Sequence, residues 1–270
     1  MIDGAAHPTS PEVVSSSPDV DILIAWFERE GADLPWRRTR DRYAVLVSET
    51  MLQATPVGRV VPYFGTWMER WPAVDDLAAA PLGDVLAAWH GLGYPRRARN
   101  LHAAAGTVAE NGWPDDLTRL PGIGPYTAAA IACFADGEAV LPIDTNLRRV
   151  LARRFPAGWP GTPEGAGWTV GQALMDFGRE VCSARAPACD TACPLRDGCP
   201  AAEAGTVIES TPRRRPQGRY DGSLRQRRGH LLGEIAATGR VPLDRDPEAA
   251  ASLIADGLAR AGRRYLLPMP

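Results

Sequence analysis

The 270-residue chain contains no lysine, since all 30 of its Lys and Arg residues are arginine. This absence excludes every chemistry that needs a lysine amine: a Schiff-base nucleophile, a lysine general base and the lysine of a phosphate-binding P-loop. The cations that remain are guanidinium groups, which are planar, always charged and suited to bidentate contacts. The formal net charge of -2 does not by itself indicate a nucleic-acid partner.

Long apolar runs are also missing. No segment approaches the roughly 20 apolar residues that span a bilayer. Residues 1–18 are small and polar, without the basic start and apolar stretch of a secretory signal, and we expect them to form a disordered tail. A cytoplasmic, intracellular location is therefore predicted.

Period-2 alternation is absent from the first 200 residues, whereas apolar residues recur at helical spacing between Pro and Gly joints, so the body is predicted to be all-α. The predicted helices cover residues 19–30, 43–55, 57–71, 74–80, 82–90, 96–111, 144–154 and 168–182, with a loop at 34–38.

The last 60 residues differ from this body. Residues 211–230 carry seven Arg and one Asp, which indicates an Arg-rich linker. Helices over 224–238 and 247–261 and a short strand near 264–267 are predicted to follow. A winged-helix-like module and a packing arm are both consistent with this pattern.

Residues 117–135 are predicted to form a helix, a tight glycine turn and a second helix. Gly122 and Gly124 permit positive φ and close backbone approach, and Pro125 suits the first turn of the next helix. Amides exposed at a helix N-terminus form a phosphate site. A plain helix–helix turn is the alternative interpretation.

Two carboxylates are candidates for acid–base chemistry. Glu49 lies among apolar residues of a predicted helix, so burial would raise its pKa and suit it to general acid catalysis. Asp144 begins a helix about twenty residues after the glycine turn. The simpler interpretations are an exposed Glu49 and an Asp144 that only caps its helix.

Four of the five cysteines lie within 18 residues, separated by six, three and five residues: Cys182, Cys189, Cys193 and Cys199. In a reducing compartment such a cluster indicates a metal site before it indicates disulfides. The residue pattern leaves zinc and a [4Fe–4S] cluster as alternatives. Cys133, within an apolar helix, is predicted to be core.

Together these motifs resemble the adenine DNA glycosylases of the helix-hairpin-helix, iron–sulfur superfamily. The resemblance extends over residues 20–200. It rests on Pro35-Trp36-Arg37, Ser48-Glu49, Met51-Leu52-Gln53, Thr55, Gly91-Leu92-Gly93-Tyr94, the glycine hairpin, Asp144 and the cysteines. It departs from the family at Thr50, at Ala54 and in one extra residue between Cys189 and Cys193.

The resemblance implies an all-α, two-lobed helix-hairpin-helix DNA glycosylase fold over residues 19–210, with a C-terminal [4Fe–4S] cluster loop and a small appendage. The implied parts are a six-helix lobe (43–138) with the hairpin at 117–131, a second lobe (19–42 with 139–203) with the cluster loop at 182–199, and a linker and module at 211–270.

The resemblance also implies roles for individual residues in removing a flipped adenine. Glu49 would protonate adenine at N7, and an ionised Asp144 would stabilise the oxocarbenium sugar. The resemblance further implies that Tyr126 and Asn146 support Asp144 and that Trp36 and Arg37 line the adenine pocket. It implies that Gln53 and Tyr94 wedge into the base stack and that Gly122, Gly124 and Arg148 contact DNA. The implied cluster ligands are Cys182, Cys189, Cys193 and Cys199.

The implied activity is monofunctional, because Tyr126 stands where bifunctional relatives carry a lysine. The expected enzyme is a nucleoid-associated monomer that acts on double-stranded DNA and excises adenine mispaired with guanine or 8-oxoguanine. Two alternatives remain open: a thymine or uracil mismatch glycosylase of the same superfamily, and a non-catalytic iron–sulfur DNA damage sensor.

Overall fold

The computed structural model describes residues 17–205 and 218–270. Most of the predicted tail (1–16), the end of the predicted body (206–210) and part of the predicted linker (211–217) lie outside the described residues. The first helix begins at Pro18, so the predicted tail was too long at its end. Proline suits this position because the first helical N–H has no intrahelical acceptor and the ring presets φ.

Helices form most of the described chain. Their bounds are α1 Pro18–Glu30, α2 Arg42–Leu52, α3 Val57–Arg70, α4 Val74–Ala79, α5 Leu82–Ala88, α6 Arg96–Asn111, α7 Pro125–Phe134, α8 Thr145–Arg154, α9 Gly167–Asp176, α10 Pro200–Glu203, α11 Leu224–Thr238 and α12 Pro247–Ala255. Short 3-10 turns occupy Pro35–Arg38 and Leu117–Arg119, and a π-helical turn at Phe177–Val181 extends α9.

The strand predicted near 264–267 is confirmed, and two strands that were not predicted pair with it in the C-terminal module. Three strands, β1 Val241–Pro242, β2 Arg260–Ala261 and β3 Tyr265–Leu267, form an antiparallel sheet in the order β1-β3-β2. The predicted helix over 247–261 ends at Ala255, because Gly257 adopts a φ of +62° and turns the chain into β2. The predicted helices at 96–111 and 224–238 are confirmed.

Contacts divide the described chain into two compact units. The cysteine unit consists of residues 17–31, 137–140 and 145–205. The hairpin unit consists of residues 32–136, 141–144 and 218–270. Residues 32–42 therefore belong with the hairpin, whereas the sequence had suggested the cysteine-bearing lobe.

The cysteine unit is held by aromatic edge contacts and one ion pair. Trp26 of α1 meets Phe177 edge-on with ring centroids 5.6 Å apart, and Phe27 meets Trp168 in the same way. Arg154 of α8 bonds Asp19 of α1 at 2.6 Å. These contacts hold α1 against α8 and α9.

The core of the hairpin unit is built around α2. Every residue of α2 from Tyr43 to Met51 is buried. The Tyr43 hydroxyl donates to the Trp71 carbonyl (3.0 Å) and accepts from the Trp67 indole (3.2 Å). Asp41 caps the helix by accepting from the amides of Tyr43 and Ala44. A polar side chain on α2 is therefore held rigidly inside the core.

The C-terminal module, residues 218–270, packs against the same unit through α11 and α5. Gly233 of α11 allows this approach, because an added Cβ would lie 2.7 Å from the His90 ring. The amides of Leu82 and Gly83 at the start of α5 donate to the carbonyls of Pro270 and Met269. Across the described ranges, no helix is long and apolar enough to cross a bilayer.

Candidate active site

Glu49 is a carboxylic acid in the core of the hairpin unit. It lies on α2 with 8% of its surface exposed. Burial raises its pKa from 4.5 to about 7, and the nearby charge of Asp144 adds to the rise. A hydrogen bond from Tyr126 and the positive charge of Arg37 oppose it. The predicted burial of Glu49 is confirmed, and its proton is available near neutral pH.

Tyr126 stands beside Glu49 at the start of α7. Its hydroxyl donates a hydrogen bond to the Glu49 carboxylate, and burial together with the charges of Glu49 and Asp144 raises the pKa of the phenol. Tyr126 therefore remains a neutral donor. The resemblance implies that Tyr126 supports Asp144; in the structure its hydroxyl bonds Glu49, and the charge of Asp144 acts on the same phenol.

Asp144 immediately precedes α8 and is half-buried. Its charge acts on both Glu49 and Tyr126, so the three side chains form one electrostatic group. Two carboxyl groups with unlike surroundings in one small volume allow one to hold a proton while the other carries a charge.

The glycine turn of the hairpin has one closed and one open position. Gly122 has a φ of +79°, and an added Cβ would lie 2.7 Å from the Asn100 Cβ. Gly124 has an ordinary φ of −96° and no atom within 4 Å of an added Cβ. The fold therefore requires glycine at 122, while Gly124 leaves open space at the N-terminus of α7, where an anion can approach the amides.

The predicted pocket residues Trp36 and Arg37 lie on the 3-10 turn that precedes α2. Trp36 is buried edge-on against Phe64, with ring centroids 5.5 Å apart. Arg37 is half-buried, and its guanidinium donates to the Ala32 carbonyl at 2.7 Å. Of the two, Arg37 acts electrostatically on Glu49.

Arg97 has a structural role that the sequence analysis did not identify. It is half-buried and donates to the carbonyls of Thr50, Met51 and Gln53 at 2.6–3.1 Å. It also donates to the carbonyls of Leu92 and Gly93 at 3.0 Å. Arg97 therefore ties the end of α2 to the glycine turn at 91–94. An arginine one residue inside a helix beside a glycine turn was the available signal.

Gln53 and Tyr94, the predicted wedge residues, lie at these two tied segments. Tyr94 is 45% exposed and has a φ of +49°, and Ala54, next to Gln53, has a φ of +57°. Ala54 and Tyr94 are the only non-glycine residues with a positive φ in the described part of the chain. Such conformations store strain and cluster at binding sites.

The four predicted metal ligands line one cavity of about 220 Å³ in the cysteine unit. Cys193 interacts electrostatically with the other three thiols, and Arg153 donates to the Cys182 sulfur at 3.6 Å. Within residues 17–205 and 218–270, no group of three or more His, Cys, Asp or Glu is arranged around a single ion. Cys133 is buried core, as predicted.

Two arginines of α8 hold the start of the cysteine loop. Arg149 donates to the carbonyls of Cys182 (2.7 Å) and Gly178 (2.6 Å), and Arg153 donates to the Ser183 carbonyl (2.8 Å). Both side chains are buried, so they bond the loop rather than face solvent. Their i, i+4 spacing placed them on one helix face, which was the signal.

The other predicted residues of α8 differ in exposure. Arg148 is exposed and Asn146 is half-buried, and the Asn146 amide oxygen accepts from Arg149 at 2.9 Å. Arg148 thus keeps the accessibility that a phosphate contact requires.

The chain is similar to known DNA repair proteins. Residues 47–164 match the HhH-GPD superfamily of base excision DNA repair proteins. The adenine DNA glycosylase of Mycobacterium tuberculosis is 41% identical in an alignment 284 residues long. The alignment covers 91% of this chain and 92% of that protein. The human adenine DNA glycosylase is 37% identical over 212 residues, which cover 66% of this chain and 38% of that protein.

Two solved structures have a similar fold. A thermostable thymine-DNA glycosylase is 27% identical with a TM-score of 0.63, over 69% of this chain and 95% of that chain. Endonuclease III in a non-covalent DNA complex is 22% identical with a TM-score of 0.58, over 69% of this chain and 94% of that chain.

Proposed function

The chain belongs to the adenine DNA glycosylase family, and from this membership we propose that it excises adenine mispaired with guanine or 8-oxoguanine, as a monomer on nucleoid DNA. Hydrolysis of the N-glycosidic bond of adenine in base excision repair is the activity of this family. The observation that carries the site assignment is the buried, protonatable Glu49 beside Tyr126 and Asp144.

Glu49 acts as the general acid. With a pKa of about 7 it is substantially protonated near neutral pH and can transfer that proton to N7 of an extruded adenine. Protonation turns adenine into a better leaving group. The Tyr126 hydroxyl stabilises the carboxylate that remains and orients it toward the base.

Asp144 supplies negative charge where the sugar becomes positive. As the C1′–N9 bond lengthens, the deoxyribose acquires oxocarbenium character, which a carboxylate stabilises. The family resemblance assigns Asn146 to the support of Asp144. Water then adds to C1′, and the product is an abasic site.

The enzyme leaves the abasic strand intact. A β-elimination lyase step proceeds through a Schiff base with an amine, and the chain has no lysine to supply one. Strand cleavage therefore needs added alkali.

We propose that Cys182, Cys189, Cys193 and Cys199 hold a [4Fe–4S] cluster. Four thiols spread around a cavity suit a multi-atom cluster better than a single zinc, which draws its ligands to about 2.3 Å. When bound, the cluster has a structural role and cross-links the loop at 182–199. Buried Arg149 and Arg153 hold the loop and compensate thiolate charge.

Metal content and absorption of the purified protein distinguish an iron–sulfur cluster from zinc. We expect iron and sulfide with absorption near about 400 nm. Cys193→Ser should lose the absorption, whereas Cys133→Ser, which changes a cysteine outside the cavity, should keep it. A colourless protein with one zinc would refute the cluster.

The function is tested by incubating the protein with duplexes that contain one A, T or U opposite G or 8-oxoguanine, followed by hot alkali. Cleavage at A that requires alkali is the expected result. Glu49→Gln and Asp144→Asn should abolish cleavage while each still binds the duplex. Cleavage at T or U alone would indicate a thymine or uracil glycosylase, and binding without cleavage would indicate a damage sensor.

A further inference from the structure

The outer face of the C-terminal sheet is an arginine-bearing surface. Strand pairing sets Val241 opposite Leu266, and both side chains are fully buried on the inner face. Because side chains alternate between the two faces of a strand, the residues next to them lie on the outer face. Arg240 and Tyr265 are exposed there, and the Arg240 guanidinium lies 4.9 Å from the centre of the Tyr265 ring.

Arg260 extends this surface on the other edge strand. It lies opposite Leu267 of β3, and Arg240 continues the register of β1 to the other side of the same leucine. Since neighbouring strands lie about 4.8 Å apart, the two arginine backbones are separated by about 10 Å across the sheet. The Nε of Arg260 donates to the Pro268 carbonyl at 3.1 Å, which orients the side chain. Arginines therefore stand on both edges of the outer face.

The β2–β3 turn adds two arginines at the tip of the hairpin. Arg263 and Arg264 are both exposed. The Gly262 amide donates to the Tyr265 carbonyl at 2.7 Å, and the Leu243 amide donates to the Arg264 carbonyl at 3.1 Å. The backbone of the turn is thus held on two sides, so binding an anion at its tip does not require the chain to become ordered.

Four sheet arginines have no carboxylate partner among residues 17–205 and 218–270: Arg240, Arg260, Arg263 and Arg264. The ion pairs of the module use other arginines, namely Arg96 of α6, Arg219, Arg227, Arg228 and Arg245. Asp244, which is exposed next to Leu243, is the acid that adjoins the turn. The sheet arginines outnumber it, so the surface keeps an excess of positive charge.

We propose that the sheet arginines bind the phosphodiester backbone of duplex DNA without reading its sequence. The proposal rests on the proposed function, which supplies DNA as the ligand, and it uses none of the residues that act on the adenine. Guanidinium groups form bidentate contacts with phosphate, and protein–DNA interfaces are far more positive than protein–protein interfaces. An acidic protein is a weaker candidate, because the centres of protein interfaces are depleted of charge.

The test compares the double variant Arg263→Ala/Arg264→Ala with Arg245→Ala, a control in the same module whose charge is balanced by Glu234 at 3.8 Å. Binding of a fluorescein-labelled duplex that contains an abasic-site analogue is measured over a salt series. Each phosphate contact contributes about 0.9 to the slope of log K against log salt concentration, so the double variant should lose about 1 to 2 from that slope. Arg245→Ala should keep the wild-type slope.

The conservative variant Arg263→Lys/Arg264→Lys separates charge from packing. Lysine keeps the positive charge, so this variant should keep the wild-type salt slope. Loss of slope in the lysine variant as large as in the alanine variant would overturn the proposal. The melting temperature of each variant reports its folding. If the alanine pair unfolds, Arg263→Gln/Arg264→Gln, which keeps much of the aliphatic stem, replaces it.

Single-turnover adenine excision at saturating enzyme should stay at the wild-type rate in these variants, because the turn does not touch the reacting atoms. An unchanged salt slope in the alanine variant, or an equal loss per charge in Arg245→Ala, would overturn the proposal. Loss of binding to polyglutamate with unchanged duplex binding would overturn it in favour of an acidic protein. Wild-type protein that binds the duplex through the turn but removes no adenine would refute the proposed function alone.

Discussion

The hydroxyl of Tyr126 donates a hydrogen bond to the carboxylate of Glu49. This bond favours the charged carboxylate and so opposes burial, which raises the pKa of Glu49 to about 7. Glu49 thus loses its proton near neutral pH, and Tyr126 lowers the pH at which this happens.

The rate of adenine excision should depend on pH through this acid. Because the protonated form is the active one, the single-turnover rate should be high below about pH 7 and fall as pH rises through it. Tyr126→Phe removes a bond that lowers the pKa, so the falling limb should move to higher pH. Arg37→Met should move it in the same direction. A falling limb unchanged in both variants would refute this assignment of Glu49.

The free energy of unfolding should also depend on pH through Glu49. The folded pKa of Glu49 lies above its unfolded value of 4.5, so folding is penalised increasingly as pH rises from about 4.5 through 7. Glu49→Gln should therefore stabilise the protein at pH 8, by up to about 3 kcal/mol, and have little effect at pH 4. Urea unfolding of both proteins at pH 4 and pH 8 measures this difference in the free energy of unfolding. Equal changes at the two values would contradict the buried acid.

Arg97 should matter for stability rather than for DNA charge. Arg97→Met keeps the aliphatic stem but leaves the carbonyls of Gln53, Leu92 and Gly93 without their donor. We expect a loss of about 3 kcal/mol in the free energy of unfolding, together with weaker excision. Arg38→Met, which breaks an exposed ion pair with Asp33, should leave the free energy of unfolding nearly unchanged.

The two hairpin glycines should separate folding from DNA binding. Gly122→Ala imposes a side chain at positive φ and 2.7 Å from Asn100, and should lower the melting temperature markedly. Gly124→Ala meets open space and should leave the melting temperature unchanged while weakening duplex binding, since its methyl group occupies the approach to the α7 amides. Unchanged duplex affinity in Gly124→Ala would exclude a phosphate at that position.

Local patterns predicted much of this protein. Helices α6 and α11 follow from apolar spacing and their flanking Pro, Ser and Gly residues, and the burial of Glu49 follows from its apolar neighbours. The end of α12 was missed, because Ala-rich helical spacing continues past the point where Gly257 reverses the chain. The roles of Arg97, Arg149 and Arg153 were missed as well. Their local spacing was visible in the sequence, but it does not identify the backbone carbonyls, distant in sequence, that these side chains bond.

The sequence by itself determined the chemical repertoire: no lysine for a lyase step, two candidate carboxylates, a glycine turn and four clustered thiols. Only the tertiary structure decided how these groups act. It placed Tyr126 against Glu49 and turned Arg97 inward. The physical reason is that pKa and hydrogen bonding depend on distances between residues far apart in the chain, whereas residue type limits only what each group can do.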